Sequence, residues 1–208
     1  MKIVIFGSTG SIGMHLVQQA LQQGHAVTAF TRNPVKLSPL NHAGLTVVQG
    51  DILNYPDVEQ AVRQQDAVLC AIGDGNKGKV RAAGTRNIIA AMKKMGVNRL
   101  ICQTTLGLGE SWGNLNFFWR HIMFGFLLRK AFHDHEVQEK QLMESGLDYT
   151  IVRPSAFTDG RVTRSYNVGF DGDHKPLTLK ISRADVADFM LQQLHRAEYV
   201  KKAVSISN

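Results

Sequence analysis

Cysteine is nearly absent. The 208 residues hold two, Cys70 and Cys102, each inside a short apolar run read as an interior strand. That points away from a disulfide framework and a thiolate metal centre. Both thiols read as small core residues in a reducing compartment, the cytoplasm. Long apolar runs are missing too: no stretch of roughly 18 uninterrupted apolar residues occurs, so no spanning helix is expected. The N-terminus runs directly into a strand, so no signal peptide is expected. No linker, repeat or low-complexity tract breaks the chain, and a single domain over residues 1–208 is expected. The closest histidine pair, His133-x-His135, has no cysteine or third ligand beside it, and no metal site is expected. A basic arm is lacking as well. The net charge of +7 is spread along the chain without a nucleic-acid reader motif, so it is attributed to attraction of an anionic cofactor and substrate rather than nucleic acid.

What the chain does have is a glycine turn at its start. Lys2-Ile3-Val4-Ile5-Phe6 is an apolar, β-branched run, Gly7-Ser8-Thr9-Gly10-Ser11-Ile12-Gly13 follows, and Leu16, Val17, Ala20 and Leu21 then recur at helical spacing. Strand, glycine turn and helix in that order form the setting of a dinucleotide-binding fingerprint. Gly7 allows the turn off the strand, Gly10 lets a pyrophosphate approach the backbone, and Gly13 lets the helix pack tightly on the sheet. The free N–H groups and partial positive charge of the helix N-terminus then face the phosphates, with Thr9, Ser11 and Ile12 in the same turn. The alternative is a plain β-α turn that binds nothing.

Strands and helices alternate from there on. Ala26 to Thr31, Leu45 to Gln49, Asp66 to Ile72, Arg99 to Gln103, Asp148 to Arg153 and Ala203 to Ile206 read as strands. Helices are expected from Asp57 (as cap or first-turn charge), from Val80 to Met95, from His133 to Ser145 with Gly146 as C-terminal cap, and from Arg183 to Leu194 with Ser182 as N-cap. Val162 to Phe170 and Leu177 to Ile181 alternate like an accessory strand pair around Asp171-Gly172-Asp173. The order predicts an α/β fold, a Rossmann-type doubly wound and mostly parallel sheet with a small accessory strand pair and an aromatic lid.

The strand ends carry the candidate site. After the second strand, an acidic residue would take the adenosine ribose hydroxyls and repel a phosphate. This chain has Thr31-Arg32 instead, with Lys36 close behind. A guanidinium forks onto a phosphate and stacks on adenine, so NADPH is expected over NADH; the alternative is a solvated loop arginine. Gly50-Asp51-Ile52 ends the third strand, with Asp51 set toward the adenine amino group and Ile52 against its ring. Ala71-Ile72-Gly73 ends the fourth and leaves room for ribose and pyrophosphate, and Thr104-Thr105 follow the fifth. The stretch Leu106 to Phe132 is rich in aromatics and reads as a lid or wall for a flat aromatic substrate, with Trp112 and Phe117 among its contacts. A dimer surface, a basic amphipathic helix on a membrane surface and plain core are the alternatives. A monomer or homodimer without membrane contact is expected. Arg161 and Arg164 are candidates for a substrate phosphate or carboxylate, against a reading as solvated surface arginines.

Together these stretches resemble the atypical short-chain dehydrogenase/reductases and, among them, the biliverdin reductase B (flavin reductase) family, with NmrA-like proteins as the broader group. The resemblance rests on Ile5 to Gly13, Thr31-Arg32, Gly50-Asp51-Ile52, Asp66-Ala67-Val68, Gly84 to Lys93, Glu144 to Tyr149, Pro154, and Ile181 to Val186 with Phe189-Met190-Leu191. It implies that Gly10, Ser11, Ile12 and Arg32 hold the NADP phosphates, Asp51 and Ile52 the adenine, and Gly73 the ribose. Thr105 stands where the family has a serine after strand five, and Pro154 and the backbone near Phe157 would face the nicotinamide carboxamide. The implied activity is reduction of a flavin such as FMN, of biliverdin, or of a quinone-like acceptor by NADPH.

The chain departs from that family in two places and from ordinary short-chain dehydrogenases in a third. Ala156 stands where the family has a histidine, and the lid matches poorly. The Tyr-x-x-x-Lys of ordinary short-chain dehydrogenases is incomplete: Glu136-Val137-Gln138-Glu139-Lys140 keeps the lysine, a candidate ribose or electrostatic contact, without the tyrosine. Lacking a phenol to protonate an alkoxide, alcohol/ketone chemistry is disfavoured, whereas a flavin ring nitrogen accepts a hydride and solvent can supply the proton. The expected function is an NADPH-dependent reductase of a flat conjugated acceptor. A non-enzymatic NADP(H) redox sensor and an NADPH quinone reductase are the competing readings.

Overall fold

The run Lys2–Phe6 becomes the central strand β1 because both of its faces are covered. In the computed structural model, which describes residues 1–170 and 177–208, Ile3 and Ile5 face one apolar layer and Val4 and Phe6 the other. The first layer joins Val27, Leu69, Ile101 and Val152 to helices α1 (Gly13–Gln22) and α5 (Arg183–Gln192). The second joins Phe30, Val68, Leu100 and Ile151 to α2 (Tyr55–Val62), α3 (Arg81–Met95) and α4 (Arg129–Met143). Two buried faces explain why the strands read as near-continuous apolar runs instead of alternating ones.

The remaining strands are β2 (Ala26–Thr31), β3 (Leu45–Gln49), β4 (Ala67–Cys70), β5 (Arg99–Gln103), β6 (Asp148–Pro154), β7 (Ala156–Thr158), β8 (Asn167–Val168), β9 (Lys180–Ser182) and β10 (Lys202–Ser207). The main sheet runs β3-β2-β1-β4-β5-β6-β10-β8, parallel throughout except where β8 meets β10. Ile3 is level with Val27 on one side and Ala67 on the other. The winding direction reverses between β1 and β4, and a crevice opens there at the carboxyl ends of the strands.

The turn after β1 is held by close backbone approach. Gly7 sits at φ +82°, and a Cβ there would run into the Ala71 carbonyl; one at Gly13 would run into the Gly7 carbonyl. The Gly10 N–H closes the turn on the Gly7 carbonyl at 2.9 Å.

Two expectations are corrected. The accessory pair is not a hairpin of 162–170 with 177–181: the second sheet is β7 with β9, parallel, with Ala156 level with Lys180, while Asn167–Val168 pairs with β10. The reason is Asp185, whose carboxylate accepts the N–H groups of Thr163 (2.7 Å) and Arg164 (2.8 Å) and so ties that backbone to α5. The expected turn Asp171-Gly172-Asp173 lies outside the described residues. Helix α4 starts at Arg129, four residues before His133, and continues directly from a π-helical segment, Phe118–Leu127. Of the two roles open to Asp57, the structure shows the charge in the first turn of α2: Asn54 is the cap, and the Asp57 carboxylate accepts the Asp51 N–H at 2.9 Å. Ser182 does cap α5, accepting the Asp185 N–H at 3.0 Å.

Gly13→Ala is expected to lower the unfolding free energy by about 1–3 kcal/mol, the usual cost of forcing extra volume into a packed site. Gly10→Ala should cost less, because a Cβ there comes no nearer than 3.1 Å to the Gly7 carbonyl. Urea denaturation of the two variants checks the order.

Candidate functional site

Two connected depressions open over the strand ends. The smaller, about 180 Å³, is lined by Gly7, Thr9, Gly10, Thr31, Arg32, Gly50, Ile52 and Ala71 to Gly73. The larger, about 500 Å³, shares Gly10, Ala71, Ile72 and Gly73 with it and adds Ser11, Ile12, Thr104, Thr105 and Pro154 to Phe157. Its roof is the inner face of the aromatic segment, Leu115, Trp119, Phe124 and Leu128.

In the small groove the Thr31 hydroxyl lies 3.2 Å from that of Thr9 and accepts the Asn33 N–H at 3.0 Å. That shapes the loop carrying Arg32, which is exposed at the rim. Asp51 does not line the groove; its carboxylate accepts the Leu53 N–H at 3.0 Å and turns the backbone so that Ile52 does. The Ile52 carbonyl is held by Asn87 Nδ2 at 2.9 Å.

Helix α4 reaches the large cavity through His135. Positions 135, 138, 139 and 142 recur at helical spacing and all four are buried. The Glu139 carboxylate receives the Arg153 guanidinium through Nε at 3.0 Å and Nη2 at 2.7 Å, and the Thr104 hydroxyl at 2.7 Å. Arg153 Nη1 also reaches Glu110 at 2.7 Å. Burial alone would pull the Arg153 guanidinium down, but the hydrogen bonds and charges of Glu139 and then Glu110 outweigh it and hold it above its usual range. At the other end of the helix, the Asp134 carboxylate caps α3, accepting the N–H groups of Arg81 and Ala82, each at 3.0 Å. Arg81, itself in the cavity wall, pairs with Asp74 at 2.6 Å.

His135 lines the cavity between these pairs. Burial, then the positive charge of Arg81, pushes its pKa down to about 3, so the ring is neutral near pH 7. Its Nδ1 lies 3.0 Å from the Gln138 side-chain oxygen. An amide oxygen only accepts, so Nδ1 carries the proton and Nε2 is an acceptor. Nearby, the Ser155 hydroxyl is buried with no hydrogen-bond partner among the described residues.

Several expected residues lie elsewhere. Lys140 is on the solvent side of α4, 4.0 Å from Glu144, because the helical period that turns residues 135, 138, 139 and 142 inward turns 140 outward. Trp112 packs edge-on against Phe132 outside the cavity, and Phe117 is exposed against the His121 ring. Arg164 forks onto Asp188 of α5 at 2.9 and 2.8 Å and belongs to a different depression. Arg161 is exposed and lines neither depression. Thr104 spends its hydroxyl on Glu139, whereas the Thr105 hydroxyl reaches the Leu106 carbonyl at 3.3 Å. The sequence pattern flags none of His135, Arg81 and the Arg153–Glu139 pair: the inward positions 135, 138 and 139 of α4 carry His, Gln and Glu, which no apolar periodicity marks.

Residues 7–197 match the family described as NAD(P)H-binding. An uncharacterized chloroplastic protein of Arabidopsis thaliana is 30% identical over 99% of this chain and 76% of its own length. The photosystem II assembly factor Ycf39 of Synechocystis is 24% identical over 99% of this chain, which spans 62% of that protein. Among solved structures, the anaerobillin reductase ChuY of Escherichia coli O157:H7 superposes with a TM-score of 0.82 at 25% identity, over 99% of this chain and 96% of that one. A short-chain dehydrogenase/reductase of Veillonella parvula in complex with NADP gives 0.84 at 20% identity, over 100% and 94%.

The neutral state of His135 has a measurable consequence. Below about pH 6.5 the unfolded chain protonates this ring while the folded chain refuses the proton down to about 3. Stability therefore falls as pH drops through that window, by at most about 1.4 kcal/mol per pH unit from this group. His135→Gln removes this part, so its unfolding free energy, measured by urea denaturation between about pH 7 and pH 5, should fall less steeply than that of the parent. Equal slopes would mean that the ring titrates as it does in water.

Proposed function

The chain belongs to the NAD(P)H-binding family, and from that premise we propose that it is an atypical short-chain dehydrogenase/reductase, an NADPH-dependent reductase of a flat conjugated acceptor. The observation that carries this reading is the continuity of the glycine-lined groove with an aromatic-roofed cavity of about 500 Å³. A dinucleotide laid along the groove ends where a planar ring system can stack.

The residues fit the cofactor. The N–H groups of Ser11 and Ile12 stand ahead of the hydrogen-bond ladder of α1, which begins with Met14 and Leu16 donating to Gly10 and Ile12, and so are free for a pyrophosphate. Arg32 takes the 2′-phosphate beside Thr31 and Thr9. Ile52 packs on the adenine, and Gly73 with Ala71 and Ile72 leaves room for the ribose. The orphaned Ser155 hydroxyl, next to Pro154 and level with Ala156 and Phe157, meets the carboxamide of the nicotinamide. When bound, NADPH supplies a hydride; the chain's contribution is to hold two rings face to face. Thr105 orients the ring edge. His135 Nε2 accepts a hydrogen bond from an N–H or O–H group of the acceptor. A group with an accepting Nε2 does not donate a proton there, so the acceptor takes its proton from solvent.

The similarity to an anaerobillin reductase supports a tetrapyrrole of the biliverdin type as acceptor, and a flavin such as FMN meets the same cavity as a substrate. The free thiols of Cys70 and Cys102 suit a reducing compartment such as the cytoplasm. The tyrosine missing ahead of Lys140 supports a second reading, a sensor that binds NADP(H) without turnover.

Anaerobic NADPH oxidation followed by absorbance, with FMN, biliverdin and a quinone offered separately, decides between the two. Rapid oxidation with one of them is expected; tight binding with none favours the sensor. Arg32→Asp should weaken NADPH binding about 10- to 100-fold, as loss of a charge-assisted hydrogen bond predicts, and leave NADH within about threefold. Equal losses for both would remove the phosphate from Arg32.

A further inference from the structure

The aromatic segment has two faces, and the nucleotide site uses one. Trp119 and Phe124 turn inward and roof the cavity. Phe118, Ile122 and Phe126 recur every four residues on the other side and are exposed, with Leu127 and Phe117 at the ends. Phe126 is 79% and Phe117 73% accessible. So large an apolar patch on one short helix marks an interaction surface. Its rim is basic: Arg120, His121, Arg129 and Lys130 lie within or beside it, and no acidic residue occurs from Ser111 to His133. Arg129 and Lys130 are exposed and form no ion pair among the described residues.

We propose that this face docks on an anionic lipid bilayer, with Phe118, Ile122 and Phe126 in the acyl boundary and Arg129 and Lys130 on the headgroup phosphates. Among the described residues no helix is long and apolar enough to cross a membrane, so the segment lies in the interface and does not span it. The charge pattern selects this occupant over a second copy of the chain. A two-fold contact would press the patch onto itself, bringing each basic rim against an identical one with no carboxylate in the segment to pair with it. Because the same segment roofs the cavity, docking brings the lid into contact with any acceptor dissolved in the lipid. The docking surface itself does not depend on the reductase reading.

The test uses the full chain, sedimented with vesicles of phosphatidylcholine alone or with about a third phosphatidylglycerol. Binding to the anionic vesicles should be at least about tenfold stronger and should fall as salt is raised. The double variant Ile122→Ser/Phe126→Ser should lose about tenfold or more of that binding while keeping NADPH affinity, which reports that the fold and the groove are intact. Vesicle binding that is absent, or equal for both lipids, overturns the proposal. So does a concentration-dependent dimer in analytical ultracentrifugation that the double variant abolishes, since the face would then belong to a second copy.

Discussion

The contact of three stretches of backbone at the carboxyl end of β1 governs the rest of the structure. Gly7, Gly13 and the Ala71 carbonyl stand so close that no side chain fits between them. That closeness sets the angle at which α1 leaves the sheet, and it brings the end of β4 against the turn. The same absence of side chains leaves exposed backbone N–H groups at the helix start, facing the point where the winding of the sheet reverses. A fold that packs this tightly at one spot presents its polar backbone to an anionic ligand as a direct consequence.

Helix α4 does for the second half of the site what α1 does for the first. Three of its buried polar residues are each tied to a neighbouring element. Asp134 holds the start of α3, Gln138 donates to Thr85 at 2.9 Å, and Glu139 clamps Arg153 and Thr104. Removing one member of the Arg153–Glu139 pair would strand a charge in the interior, a cost of about 3–5 kcal/mol. The network therefore locks β5, β6 and α4 together, and His135 beside it is neutral because it is buried and faces the positive charge of Arg81.

The aromatic segment answers two demands with one short helix. Phe124 packs against Trp119 and Phe132, with ring centroids 5.6 and 4.6 Å apart, which anchors the inner face. On the outer face, the ring contacts among the described residues stay within the segment: Phe118 meets Trp119 and Phe117 meets His121. A segment that is apolar on both sides is stable in water only when one side is covered, and here the covered side is the one that roofs the cavity.

By itself the sequence determined the alternation of strands and helices, the glycine turn and the position of Arg32, because these are local: β-branched runs, a Cβ-free turn and a cation at a strand end act within a few residues of themselves. It also determined the cap at Ser182, a contact across three residues. Only the tertiary structure decided which way α4 faces, and hence that His135 rather than Lys140 meets the cavity. Only it decided that Arg164 is spent on Asp188, that Asp185 diverts the 163–164 backbone from a hairpin, and that Trp119 and Phe124 rather than Trp112 and Phe117 form the roof. Those outcomes depend on partners 14 to 53 residues away along the chain, as in the pairs Arg153–Glu139 and Arg81–Asp134. Spacing within one element cannot report a charge or a ring that another element brings to it.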